Sequence, residues 1–206
     1  MLRIWGRTTS SNVQKVLWCC AELGLAFDRT DWGGPFGGNK DPAYLAMNPN
    51  GRVPTIEDGD LVVWESNTIM RYLCATRDGA RLHPLDLAAR THVERWMDWQ
   101  LAHLAPSHAT MTQGYLRQPP EKRDPVALEA ARQQGAMMWE IVEAQLTLGP
   151  HVAGEAFTLA DICLGVFAHR WHYFPIERPS LPRVRAWYEQ IAQRPAFQAH
   201  VAAPPS

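Results

Sequence analysis

No stretch of about 18 consecutive apolar residues occurs in this sequence, so nothing in it reads as a membrane-spanning helix. Charge of one sign is not in excess either: 20 Lys and Arg stand against 21 Asp and Glu, a formal net charge of −1. That balance excludes a binder of nucleic acid or anionic membrane working through a broadly basic face. It also holds locally, with eight basic and nine acidic side chains in residues 1–78 and twelve of each in the remainder. Lysine is scarce, at Lys15, Lys40 and Lys122 alone. Four cysteines are few for the length, and Cys19, Cys20, Cys74 and Cys163 contain no Cys-x-x-Cys pair. Cys19 and Cys20 are adjacent and cannot easily bridge each other in regular structure. The set reads as reduced, buried thiols of a cytoplasmic protein rather than as a disulfide framework. Met1–Arg7 holds no apolar run of signal-peptide length.

What is present is the material of a core. The chain has 206 residues, 46% of them hydrophobic, with nine Trp. That composition excludes a disordered chain. A chain of this size can bury about 70% of its extended surface, as one large domain or two small ones.

The first third mixes strand and helix signals. Leu2–Trp5 reads as a strand closed by Gly6. Val13, Val16, Leu17, Cys20 and Leu23 fall on one helical face, and Gly24 stands where a C-terminal cap belongs. Ala26–Asp31 reads as a second strand. Residues 32–52, rich in Gly and Pro, read as a loop. Thr55–Glu57 and Leu61–Trp64 flank Asp58-Gly59-Asp60, a hairpin signal. Ser66 or Asn67 is expected to cap a helix with Ile69, Met70, Tyr72 and Leu73 on its face. The first β-α-β suits a parallel pair joined by a crossover helix. Strand order is not legible.

From residue 87 the patterns are helical. One long run reaches about 115, with Pro106 expected to bend or interrupt it. A connector follows at 118–125, then a helix from about 126 to 148. Thr158-Leu159-Ala160-Asp161 resembles a capping box before an apolar run, so Asp161 reads as a buried cap. A further helix spans Pro182 to Gln193, and a short one is possible beyond Arg194-Pro195. His169 and His172 have the spacing of a metal pair, but no Cys or carboxylate on that stretch completes a site, and no metal is expected.

Read together, the residues resemble a known family. Asn48-Pro49-Asn50-Gly51-Arg52-Val53-Pro54-Thr55-Ile56, Asp58-Gly59 and Glu65-Ser66-Asn67-Thr68-Ile69 look like the signature of the cytosolic glutathione transferases. Phe157–Asp161 and Pro182…Trp187…Arg194-Pro195-Ala196 resemble that family's helical-domain patterns. Ser10-x-Asn12-x-x-Lys15 and Asn39-Lys40-Asp41-Pro42 look most like its phi class and related theta-like bacterial members. The resemblance implies an α/β thioredoxin-like N-terminal domain over residues 1–80 that binds glutathione, and an all-α domain over 87–206. It also implies a homodimer.

Glutathione carries two carboxylates, an ammonium and a thiol, and each needs a partner. The resemblance implies a cis Val53–Pro54 bond that leaves the backbone of Val53 to pair with the cysteinyl residue; by sequence alone a trans proline opening a strand is the plainer reading. Ser66, with the helix N-terminal N–H groups, would receive the γ-glutamyl carboxylate. Glu65 would take the ammonium. Lys40 and Arg52 would pair with the glycyl carboxylate, with Asn39 a secondary contact.

A thiol with pKa about 8.5 is only a few per cent ionised at neutral pH, and lowering it by about two units makes it mostly thiolate. A hydroxyl beside a helix N-terminus can do this. The loop Thr8–Asn12 offers Ser10, Ser11 and Asn12; phi-like spacing selects Ser10 and theta-like spacing Ser11, while all three also read as a plain N-cap cluster. That loop has no Cys, which disfavours Cys-based exchange there.

The implied activity is conjugation of glutathione to a small hydrophobic electrophile, a detoxification chemistry. A glutathione-dependent disulfide reductase or dehalogenase, or a non-catalytic binding protein, are the other readings. The second substrate is expected in an apolar cleft between domains, with Trp96, Met97, Met111, Tyr115, Phe167, Trp171 and Phe174 as wall candidates, although such residues are more often core.

Overall fold

The computed structural model describes residues 1–205. The chain forms two compact units, one running from Met1 to His83 and a second beginning at Pro84.

In the first unit the chain forms β1 (Leu2–Trp5), α1 (Ser11–Glu22), β2 (Phe27–Thr30), α2 (Pro42–Met47), β3 (Thr55–Asp58), β4 (Leu61–Trp64) and α3 (Ser66–Thr76). The four strands make one sheet in the order β2-β1-β3-β4. β1 pairs in parallel with β2, with Leu2 opposite Phe27, and antiparallel with β3, with Ile4 opposite Ile56. β3 and β4 close as a hairpin at Gly59, whose φ of +61° suits glycine.

Alternation puts Leu2 and Ile4 of β1 inside. α1 buries Val13, Val16, Leu17 and Cys20, and α3 buries Ile69, Met70 and Leu73. The two helices pack on each other. Each such aliphatic side chain, fully buried, contributes about 1.5–3 kcal/mol. α1 ends at the expected glycine: Gly24 has φ +66°, and its N–H donates to Ala21 O at 3.1 Å.

Two local expectations are corrected. Residues 32–52 are not all loop. They hold a 3-10 turn at Gly34–Phe36 and α2, which starts on Pro42, where a fixed φ and a missing N–H cost a helix nothing. The residue before α3 is Glu65; Ser66 and Asn67 already lie in its first turn.

The second unit contains α4 (Leu87–Trp99), α5 (Ala105–Met111), α6 (Pro125–Gln145), α7 (Leu159–Tyr173), α8 (Pro182–Ala192) and α9 (Pro195–His200). α4 and α5 are joined through a π-helical segment, Gln100–Leu104, and a second one, Thr112–Arg117, follows α5. Pro106 thus falls just after a wider turn, which gives its ring room and interrupts the α-helical ladder where its N–H is missing.

α7 is the centre of this unit, with 12 of its 15 residues buried. It is mostly apolar and buried on nearly all sides, packed by α4, α5 and α8, with Asp161 and Arg170 as its buried charged residues. Its start is a full capping box: Thr158 accepts from the Ala160 N–H, and the Asp161 carboxylate accepts from the Thr158 N–H at 2.9 Å. Arg178 closes the other end, donating to the carbonyls of Trp171, His172, Phe174 and Ile176. His169 is engaged on both ring nitrogens, by the Tyr188 hydroxyl at 2.9 Å and the Ala203 carbonyl at 3.1 Å.

Candidate glutathione site

The first unit gathers the chemistry-bearing residues at the loops that leave β1, precede β3 and precede α3. Ser10 occupies the N-cap position of α1, with φ −81° and ψ 123°, yet its side chain makes no capping bond. Its backbone is fully used, N–H to Arg7 O and carbonyl from Gln14 N. The hydroxyl has no hydrogen-bond partner among the described residues, and the residue is 9% exposed. Ser11 is the first residue of α1 and half-buried. Asn12 Oδ1 accepts from Ser66 Oγ at 3.3 Å, so Asn12 and Ser66 lie side by side.

The turn before β3 is held from beneath. The Val53–Pro54 peptide is cis. The Arg52 carbonyl accepts from the Tyr44 hydroxyl at 2.7 Å and from Asn48 Nδ2 at 2.8 Å. Both side chains also reach Thr55 Oγ1, and all three residues are buried. Burial raises the Tyr44 phenol above its ordinary range, so it stays a donor. The backbone N–H and carbonyl of Val53 have no partner among the described residues. Asn39 Nδ2 donates to Gly51 O at 2.6 Å, so Asn39 ties the preceding loop to this turn. Gly51 has φ +58°, and a Cβ there would stand 2.7 Å from the Asn39 carbonyl. Lys40 and Arg52 are exposed and form no ion pair with a described residue.

Glu65 has φ +70° and ψ 111°, a conformation that L-residues other than glycine rarely hold, costing about 1–3 kcal/mol. It is exposed, and its carbonyl accepts from the Ile69 N–H. Ser66 and Asn67 follow, 3% and 2% exposed.

The cysteines lie apart from this chemistry. All four are buried. Burial pushes the Cys20 thiol up to about 12, and a hydrogen bond from Cys19 holds the Cys74 thiol below its ordinary range.

Six of the seven proposed wall residues belong to the core of the second unit. Trp96, Met97, Met111, Phe167, Trp171 and Phe174 are at most 6% exposed; Tyr115 is half-buried. Their centre is His108, a residue the sequence did not flag. Its ring lies 5.3–5.9 Å from those of Phe167, Trp171, Phe174 and Trp139. Burial pushes its pKa down to about 3, so it is a neutral acceptor for the Trp139 indole. Tyr44 also went unflagged, and Asn48 stood in the signature without an assigned role. Tyr44 lies inside α2, in a stretch with no apolar periodicity to single it out.

A four-stranded β-α-β-α-β-β-α unit with this strand order, carrying a cis-proline turn and joined to an all-helical unit, defines a two-part protein with a thioredoxin-like half. Comparison with known proteins specifies it further. Residues 9–76 match the model of the glutathione S-transferase N-terminal domain, and residues 125–190 that of the C-terminal domain. Glutathione S-transferase GstB of Escherichia coli K12 is 36% identical over 208 residues, covering all of both chains. Glutathione S-transferase 3 of Zea mays is 34% identical, over 99% of this chain and 95% of that one. The crystal structure of the theta class glutathione S-transferase from Xanthomonas axonopodis pv. citri with glutathione bound is similar with a TM-score of 0.96. It is 44% identical, over 100% of this chain and 99% of that one. The chain belongs to the glutathione S-transferase family. It is an enzyme of that family, with glutathione as its co-substrate.

Proposed function

We propose that this enzyme ionises the thiol of glutathione at Ser10 and adds it to a small hydrophobic electrophile. The observation that carries this is the Ser10 hydroxyl. Its backbone holds an N-cap conformation, but the side chain does not cap, and no described residue takes the hydroxyl. A donor left over beside a helix N-terminus suits a thiolate. Lowering a thiol from about 8.5 by about two units takes it from a few per cent to about three-quarters ionised at pH 7. Asn12 is already engaged with Ser66, and Ser11 sits within the first turn, so Ser10 is favoured over both.

The peptide is held by the groups around it in this reading. The unpartnered Val53 backbone beside Pro54 pairs with the cysteinyl residue. Ser66 and the α3 N-terminus take the γ-glutamyl carboxylate, and Glu65 its ammonium. Lys40 and Arg52 pair with the glycyl carboxylate, while Asn39 shapes the loop. The family supports a homodimer, a cytoplasmic location and a role in detoxification.

The test compares wild type with Ser10→Ala, measuring conjugation to an aromatic halide, reduction of a mixed disulfide, and glutathione binding. We expect conjugation to fall by about 100-fold while glutathione still binds. An unchanged conjugation rate sinks the Ser10 assignment. A wild type that reduces the disulfide but does not conjugate moves the reading to a reductase.

A further inference from the structure

Of the three lysines, Lys15 is buried and donates to Asn67 Oδ1 at 2.9 Å, and Lys122 lies in the second unit. Lys40 is therefore the exposed lysine of the first unit, and it follows Gly38 and Asn39. The segment from Gly38 to Lys40 is gripped from two sides. On one side Asn39 Nδ2 donates to Gly51 O, and Gly51 stands so close to the Asn39 carbonyl that a Cβ would not fit. On the other side is Trp32. Gly38 has φ +80°, and a Cβ built there would overlap Cε2, Cζ2 and Cδ2 of the Trp32 indole. The Gly38 backbone thus lies directly against the six-membered ring of that indole.

Trp32 is itself anchored. Its carbonyl accepts from the Arg7 N–H at 3.2 Å. Its ring meets Trp5 edge-on at 4.9 Å and Tyr44 at 5.5 Å. Tyr44 is also the residue whose hydroxyl holds the Arg52 carbonyl. One aromatic cluster therefore supports both the segment that carries Lys40 and the turn that carries Arg52. A hydrogen bond does not account for the indole. Trp32 Nε1 is buried with no hydrogen-bond partner among the described residues, whereas a buried indole N–H usually has one. A phenylalanine would avoid that cost. What tryptophan adds over phenylalanine is reach, and its outer ring is the part that meets Gly38.

We infer that Trp32 is a positioning residue for glutathione: through Gly38 it holds the Asn39–Lys40 segment in order for the glycyl carboxylate. This rests on the reading of Lys40 and Arg52 given above. Trp32 acts through the backbone of Gly38 rather than by touching the ligand. A segment ordered in advance spares the ligand the cost of ordering it.

The test uses glutathione and its glycyl monoethyl ester, in which that carboxylate is blocked. The proteins are wild type, Trp32→Phe, Gly38→Ala and Lys40→Met. Trp32→Phe removes the outer ring and keeps an aromatic side chain beside Trp5 and Tyr44. Gly38→Ala disturbs the same contact from the other side. Wild type is expected to prefer glutathione over the ester, and Lys40→Met to lose much of that preference. In Trp32→Phe and Gly38→Ala, KM for glutathione is expected to rise about three- to tenfold. KM for the ester and kcat stay near the wild-type values, so the preference shrinks by the same factor. If Trp32→Phe does not fold, Gly38→Ala carries the test. Variants that weaken both ligands equally, or neither, make Trp32 a core residue only and overturn the proposal. A wild type that treats the two ligands alike, or a Lys40→Met protein that keeps the full preference, overturns instead the reading of the glycyl end on which it stands.

Discussion

Replacing Asp161 by Asn removes one oxygen from the most heavily used carboxylate in the helical unit. Asp161 is 0% exposed. Its Oδ1 accepts from the Val152 N–H at 3.0 Å and the Trp187 indole at 2.9 Å. Its Oδ2 accepts from the Thr158 N–H at 2.9 Å and the Thr158 hydroxyl at 3.3 Å. Burial raises the pKa of this carboxyl, and the surrounding donors offset only part of that rise. An amide retains one acceptor and turns its NH2 toward the other set of donors. At least one backbone N–H is then orphaned, at about 1–3 kcal/mol, and the α7 cap is weakened by about 1 kcal/mol. Loss of a buried charge offsets part of this. We expect Asp161→Asn to destabilise by about 2–4 kcal/mol, a fall in Tm of about 4–16 °C for a chain of this size. Urea denaturation followed by Trp fluorescence, with thermal melts, measures it. Glutathione KM at 20 °C should not move, since the substitution lies outside the first unit. A Tm within 1 °C of wild type would refute the reasoning, because it would mean the four donors find other partners.

Two further outcomes follow from buried titratable groups. His108 has a folded pKa near 3, below its ordinary 6.5, so the folded state prefers it neutral. Stability is full above pH 6.5 and falls as pH drops toward 3, at up to about 1.4 kcal/mol per unit. Asp161, shifted upward, opposes this, so His108→Gln should flatten the acid limb of the denaturation profile rather than abolish it; an unaltered limb would discount His108. The four buried cysteines should resist a thiol reagent in the native protein and all react in denaturant. Cys74, at 4% exposed and held low by Cys19, should be the first to label; early labelling of Cys20 would contradict its burial.

The parts of the fold legible in the sequence were those fixed by neighbouring residues. The apolar face of α1 and its Gly24 stop, the Asp58-Gly59 hairpin and the Thr158–Asp161 box are all local devices, and each formed where its residues stood. The order β2-β1-β3-β4 was not legible, because pairing across the sheet depends on contacts far apart in the chain. α2 hid in a Gly- and Pro-rich stretch because its helix is held by a single tertiary anchor, Tyr44, rather than by a repeating face. For the site, the turn at Val53-Pro54 and the pair Glu65-Ser66 carried recognisable words. The contacts beneath them did not: Tyr44 stood in no motif, and Asn48, Lys15 and Asn67 stood in motifs whose spacing does not show that they meet Thr55 and each other once α1, α3 and the sheet are assembled. The residues named as candidates for a pocket wall show the same limit: six of the seven lie in the core, as such residues more often do. Their spacing shows an apolar helix face but not which side of it meets solvent.

The burial of Lys15 also alters what the outside of the molecule offers to amine chemistry. With that ammonium sealed, the only side-chain amines facing solvent are Lys40 and Lys122. Every other fixed positive side chain is a guanidinium, which acylating reagents leave alone. The surface is therefore almost blank to amine-directed labels, and one of its two marks falls on the loop just ahead of α2. An amine-directed reagent therefore finds one lysine side chain in each unit, Lys40 in the first and Lys122 in the second.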